Sequence, residues 1–207
     1  MDQDCPTTDI FMGRKDGNLR DLLLGTADTS RPPNVAEDVF HHMLKALDYL
    51  AGKGIIHRDV KPENILYVMD AGNYVFQLGD FGLSCWEKRI GQDTTDPAGS
   101  LPYMAPEVFY TAQRQTSKAD VWSLLVTMLW TLNVGGFRKL EGTSEPYDEV
   151  KATILGAVRL PDCVAMREMA VVDPTSRASA AQLLKKHFSG GKAAKLTTLA
   201  KRAPGHV

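Results

Sequence analysis

The stretch His57-Arg58-Asp59-Val60-Lys61-Pro62-Glu63-Asn64 crowds six side chains able to do chemistry into eight residues. Asp59 could accept a proton, Lys61 could neutralise a phosphate, and the Asn64 carbonyl oxygen could bind a hard cation. Sixteen residues after Asn64 stands Asp80-Phe81-Gly82. A carboxylate before a glycine on a loop suits a Mg²⁺ ligand that must approach a nucleotide closely. Spacing alone does not bring the two segments together. A hairpin would, because Ile65–Val68 and Tyr74–Leu78 flank a turn at Asp70-Ala71-Gly72-Asn73.

The elements around this centre are mostly helical. Val35, Val39, Phe40, Met43, Leu44, Leu47 and Leu50 recur at intervals of three and four, which predicts an amphipathic helix capped by Asn34 and ending at Gly52 or Gly54. His41 and His42 lie on it as surface or edge residues. Leu19, Leu22 and Leu23 predict a shorter helix closed by Gly25, preceded by a short strand over 8–13 and a turn at Lys15-Asp16-Gly17-Asn18. Residues 84–103 carry no hydrophobic period, and a structureless stretch of that length is usually functional or mobile. Helical patterning resumes at Ala105 and runs to Phe188, with breaks near 113–116, 135–146, Pro161 and Asp173-Pro174.

Composition excludes several classes. With 207 residues, 43% hydrophobic and 24% charged, the chain can bury a real core and is neither disordered nor fibrous. A net charge of −1 supplies no global field for nucleic acid or a membrane surface. The uncharged run Val121–Phe137 contains Asn133 and Gly135-Gly136 and is too short for a membrane span, so it reads as a buried helix. Cys5, Cys85 and Cys163 stand in no paired spacing and read as free thiols of an intracellular protein, cytoplasmic or nuclear.

The two central motifs resemble the catalytic loop (H-R-D-x-K-x-x-N) and the D-F-G motif of eukaryotic protein kinases. Five fixed positions have a chance expectation of about 10⁻⁴ in a chain of this length. Gly99-Ser100-Leu101-Pro102-Tyr103-Met104-Ala105-Pro106-Glu107 resembles the end of an activation segment, and Asp120-Val121-Trp122-Ser123 the start of the central helix of the large lobe. Asp173-Pro174-Thr175-Ser176-Arg177 resembles the segment whose arginine pairs with the Ala-Pro-Glu glutamate.

The resemblance implies a mainly α fold with a few short β hairpins, a kinase-like large lobe over 19–188. Residues 1–18 would be the remnant of the last small-lobe strand and the hinge, and 189–207 a basic, flexible tail. Asp59, Lys61 and Asn64 would be catalytic, with Asn64 and Asp80 holding Mg²⁺ against ATP. Leu66 would lie under adenine, with backbone near Gly13 and Lys15 at the ring edge. Arg58 would meet a phosphate on the activation segment, where Thr94 and Thr95 are candidate acceptors and read equally as solvated loop residues. Ser100 would face the catalytic aspartate. Glu107, Arg177 and Asp120 would be structural.

The implied activity is transfer of the ATP γ-phosphoryl group to Ser or Thr of a protein substrate, since Lys61 with Glu63 resembles the serine/threonine class. No G-x-G-x-x-G, strand lysine or helix glutamate precedes the hinge-like stretch. The expectation is therefore a small lobe almost entirely absent, with a missing lobe or a partner covering the hinge side. The alternative is a catalytically impaired kinase-like binding module.

Overall fold

The computed structural model describes residues 13–25, 34–87, 99–110, 115–140 and 144–189. Thr94, Thr95, most of the strand expected at 8–13 and all but the first residue of the basic tail lie outside them. Six α-helices follow in chain order: α1 (Leu19–Gly25), α2 (Val35–Gly52), α3 (Pro106–Tyr110), α4 (Lys118–Thr131), α5 (Tyr147–Ala157) and α6 (Ala180–Phe188). Among them run β1 (Gly17–Asn18), β2 (Ile55–Ile56), β3 (Ile65–Asp70), β4 (Asn73–Leu78) and β5 (Cys85–Trp86), with 3-10 helices at Pro62–Asn64, Leu101–Tyr103, Val134–Leu140 and Pro161–Met169. The fold is mainly helical with short hairpins, as the resemblance implies.

Helix α2 buries Val35, Val39, Phe40, Met43, Leu44, Leu47 and Leu50, the face its periodicity marks. Each such side chain contributes about 1.5–3 kcal/mol when fully buried. Asn34 stands ahead of the helix, but its side chain makes no capping bond. Its backbone oxygen accepts from Asp38 N at 2.9 Å instead. His42 is half-buried and links α2 to the hairpin, its Nδ1 accepting from Phe76 N at 3.2 Å. At α6 the Ser179 hydroxyl accepts from Gln182 N while Gln182 returns a bond to Ser179 N, closing a capping box.

The hairpin β3–β4 pairs antiparallel from Ile65↔Leu78 to Asp70↔Asn73. Its other edge corrects one expectation. Lys15–Asn18 is not a free turn, because Gly17 and Asn18 pair antiparallel with Tyr67 and Leu66. Asp16 secures the pairing, its N–H donating to Tyr67 O and its carboxylate accepting from Met69 N at 2.8 Å. A Cβ at Gly17 would stand 3.0–3.2 Å from the Tyr67 ring, so the glycine serves close approach rather than a turn. Strands β2 and β5 pair as a second, two-residue ladder, Ile55↔Trp86 and Ile56↔Cys85.

Helix α4 is the axis of the core. Every residue from Ala119 to Thr131 is buried. Such a helix needs partners for its polar side chains, and a hydroxyl stripe finds them. Ser123 Oγ donates to Tyr103 O at 2.7 Å, Thr127 Oγ1 to Ser123 O at 2.8 Å, and Thr131 Oγ1 to Thr127 O at 2.7 Å. Thr127 Oγ1 also lies 3.2 Å from Val60 O, on the loop that carries Asp59. Among the described residues no helix is long and apolar enough to cross a membrane.

Candidate active site

The His57–Asn64 loop is held from beneath by α4. Asp120, fully buried in the first turn of that helix, accepts from His57 N at 2.8 Å and Arg58 N at 2.9 Å through separate oxygens. Burial pushes its carboxyl up to about 6, against the pull of those two amides. Arg58 adopts φ 70°, a left-handed conformation that costs a non-glycine residue about 1–2 kcal/mol. The two amide bonds offset that strain.

His57 ties this loop to the Asp80-Phe81-Gly82 segment. Its Nε2 lies 3.0 Å from Gly79 O, and the Phe81 ring meets the imidazole edge-on at 4.8 Å between centroids. Burial lowers the pKa of the imidazole below its usual value, favouring the neutral ring. Gly79 N donates to Asn64 O at 2.8 Å, a second tie between the segments. The hairpin thus brings together what spacing alone could not. His57 belongs to the motif, yet its bridging role is invisible in sequence because its partner is a backbone carbonyl.

Asp59 sits at the centre of a four-residue network. Oδ1 accepts from Ser100 Oγ at 3.0 Å and Ser100 N at 3.2 Å. Oδ2 accepts from Asn64 Nδ2 at 2.9 Å and forms an ion pair with Lys61 Nζ at 2.8 Å. Lys61 Nζ also donates to Ser100 Oγ at 2.8 Å, and Asn64 Nδ2 to Asp59 O at 2.8 Å. Burial pushes the Asp59 carboxyl up, but the bonds from Lys61, Ser100 and Asn64 outweigh it and hold the carboxyl below the usual aspartate value. A carboxylate kept ionised beside an ammonium is equipped to accept a proton while a neighbouring cation meets negative charge.

The remaining expected residues lie as follows. Asp80 is exposed, adopts φ 57°, and accepts from Gly82 N at 3.2 Å. Asn64 turns its amide nitrogen onto Asp59, which frees its carbonyl oxygen for another partner. Among the described residues no group of three His, Cys, Asp or Glu is arranged to hold a metal. An amide oxygen and a carboxylate oxygen are hard donors of the kind Mg²⁺ takes one or two of from protein. Leu66 is half-buried on β3 against Gly79, where a Cβ would come within 2.8 Å of it. Gly13 is exposed with open space around it, and Lys15 donates to Gln77 of β4.

The arginine beside Asp59 faces away from it. Arg58 Nε donates to Leu83 O at 2.7 Å, and its Nη1 is buried without a hydrogen-bond partner among the described residues. Ser100 is delivered by Gly99, whose φ is +123° and whose missing Cβ would lie 2.5 Å from Arg58 O. The far end of this segment is anchored by Glu107. Arg177 Nη1 and Nη2 donate to its two carboxylate oxygens at 2.7 and 2.8 Å, with both side chains buried. The same guanidinium donates to the carbonyls of Lys118, Val171 and Val172, which leaves it well satisfied.

The protein kinase domain family matches residues 10–189, most of the 207-residue chain. This chain belongs to the protein kinase family. Among named relatives it is 36% identical over 176 residues to "Serine/threonine-protein kinase SIK1" of Rattus norvegicus, covering 82% of this chain and 21% of that protein. It is 35% identical over 168 residues to "Serine/threonine-protein kinase kin-29" of Caenorhabditis briggsae, covering 78% and 19% respectively. A "Probable serine/threonine-protein kinase CHK1 homolog" of Encephalitozoon cuniculi is 46% identical over 129 residues, 61% of this chain and 30% of that protein. The kinase-family chain thus spans about a fifth to a third of the curated relatives it matches.

Proposed function

We propose that the chain is the catalytic lobe of a serine/threonine protein kinase, transferring the γ-phosphoryl group of ATP to Ser or Thr hydroxyls of an intracellular protein. The observation that carries this reading is the network joining Asp59, Lys61, Asn64 and Ser100. Asp59 orients the substrate hydroxyl and takes its proton, and the Lys61 ammonium meets the charge of the phosphoryl group in flight. Asn64 and Asp80 would hold Mg²⁺, which when bound neutralises charge on the ATP phosphates. Leu66, with backbone at Gly13 and Lys15, would receive adenine. The Nη1 of Arg58, without a hydrogen-bond partner among the described residues, favours an anionic partner on the activation segment, with Thr94 or Thr95 as its bearer.

A second reading rests on a different observation. Phe81, Leu83 and Trp86 are 49%, 39% and 50% exposed on and just beyond the Asp80 segment. That favours a cover on this side, supplied by a small lobe or a partner protein. A kinase-like module that only binds would use the same face.

Calorimetric titration of ATP with and without Mg²⁺, followed by phosphoryl transfer to a mixed Ser/Thr peptide library, separates the two. The kinase reading expects Mg²⁺-dependent binding that weakens in Asp80→Ala. It also expects transfer that falls about 10²–10⁴-fold in Asp59→Asn. Transfer unchanged in Asp59→Asn would overturn the assignment, and absence of both binding and transfer would favour the module.

A further inference from the structure

On α5 and the 3-10 helix that follows it, well apart from the Asp59 loop in sequence and sharing no lining residue with it, an open cavity of about 430 Å³ is lined by Leu155, Val158, Arg159, Arg167 and Ala170. Arg167 builds its wall by closing the end of α5. Its Nε donates to Val158 O at 3.2 Å and its Nη2 to Arg159 O at 3.1 Å, which sets a cation on the two carbonyls just past the end of the helix. Arg159 is exposed, and its guanidinium has no partner among the described residues.

Among the described residues neither Arg159 nor Arg167 is in an ion pair, although Asp162 and Arg167 both act on the nearby Cys163 thiol. Glu168 is paired with Lys186 at 2.7 Å, and Asp173 is turned onto the hydroxyls of Thr175 and Ser176. Asp162, in the first turn of the 3-10 helix, is not among the lining residues. The apolar lining continues outward. In a 3-10 helix residues three apart lie one above the other, so Val164 shares a face with Arg167. Val164 is 59% exposed and Leu160, next to Arg159, is 42% exposed.

We propose that this cup is a docking site for a partner protein, which inserts an apolar side chain from a peptide segment flanked by carboxylates. The apolar floor takes the anchor residue, and Arg159 with the free edge of Arg167 meets the flanking acids. The cup is open and its apolar surface runs on past the rim to Leu160 and Val164, which suits an extended peptide better than an enclosed small molecule. The site rests on none of the roles assigned to Asp59, Asn64 or Asp80.

Fluorescence anisotropy with fluorescein-labelled Glu-Glu-Leu-Phe-Glu-Glu tests it on the intact chain. Saturable binding is expected, weakening at high salt and falling at least about tenfold in Arg159→Glu through the reversed charge. Val164→Asp, at an exposed position, should weaken it similarly and carries the test if circular dichroism shows Arg159→Glu unfolded. Three results would overturn the proposal. One is equal binding of Glu-Glu-Ala-Ala-Glu-Glu, which means anion attraction alone. Another is equal binding of Lys-Lys-Leu-Phe-Lys-Lys. The third is no saturable binding, or binding indifferent to both substitutions. Because ATP affinity is measured separately, failure here leaves the kinase reading standing.

Discussion

The Asp120 carboxylate holds Arg58 by its backbone amide, 2.9 Å from Oδ1 to N, at a residue whose φ is 70°. The left-handed turn that aims Asp59 toward Ser100 therefore depends on a side chain 62 residues away. That dependence gives a first expectation. Asp120→Asn keeps the shape of the side chain but sets an N–H₂ against one backbone N–H, and a buried unmade bond costs about 1–3 kcal/mol.

The same substitution has a pH signature. Burial raises the folded-state pKa of Asp120 to about 6, above its ordinary value of 3.8. The native state then binds its proton more tightly than the unfolded chain, so this group's contribution is fully present below pH 3.8 and is lost as pH rises to 6. The slope is at most about 1.4 kcal/mol per pH unit. Thermal melts of both proteins between pH 4 and 7 should show the wild type losing stability with rising pH relative to Asp120→Asn. Parallel curves would mean that the Asp120 carboxyl ionises in the native state as it does in the unfolded chain.

Ser100 fills Oδ1 of Asp59 with two bonds, and Lys61 and Asn64 fill Oδ2. On the proposed function a substrate hydroxyl would have to displace one of these donors, and the Ser100 hydroxyl, which can rotate, is the cheapest to move. Ser100→Ala removes a bond that holds the Asp59 carboxyl below its usual range. The acid limb of the kcat/KM profile should accordingly move to higher pH, while Ser100→Thr leaves it in place. An unmoved limb in Ser100→Ala would separate Ser100 from the titration of Asp59.

Gly99→Ala should damage site and stability together. The new Cβ would lie 2.5 Å from Arg58 O, a backbone atom that cannot step aside, at a φ of +123°. Strain of this kind costs on the order of 1–3 kcal/mol, and its relief would displace the adjoining Ser100. Differential scanning calorimetry and a transfer assay should show a lower Tm and a slower rate. A native Tm with a native rate would sink the claim.

The buried pair Glu107–Arg177 should be costly to break from one side. Arg177→Ala leaves Glu107 buried and charged, and such truncations cost about 3–5 kcal/mol. Urea denaturation should place Arg177→Ala and Glu107→Ala well below wild type, with the double variant losing much less than the sum of the two single losses. Additive losses would mean the two charges are not coupled.

Much of this was legible in the sequence because it was periodic or spaced. The apolar positions of α2 coincide with its buried face, and the hairpin at 65–78 follows from two apolar runs around Asp70–Asn73. What sequence hid was pairing through the backbone. Strand β1 is two residues long and has no period to read, so Gly17 reads as a turn in sequence, whereas it gives clearance for Tyr67. Asn34 has the chemistry of a cap, yet its carbonyl does the work. Gly99 and His57 act on carbonyl oxygens, which no residue code announces. The hydroxyls of α4 do leave a trace, four residues apart in an otherwise apolar run.

Those hydroxyls have a mechanical consequence. A cylinder greasy on every side could spin about its long axis with little penalty, since any angle buries apolar surface. Ser123 and Thr127 remove that freedom, because only one angle lets them meet Tyr103 O and Val60 O at 2.7 and 3.2 Å. Asp120 stands one turn earlier, three residues before Ser123 and on the same side. The stripe therefore works like the key in a shaft: it sets the angular phase of α4, and with it the direction in which Asp120 points.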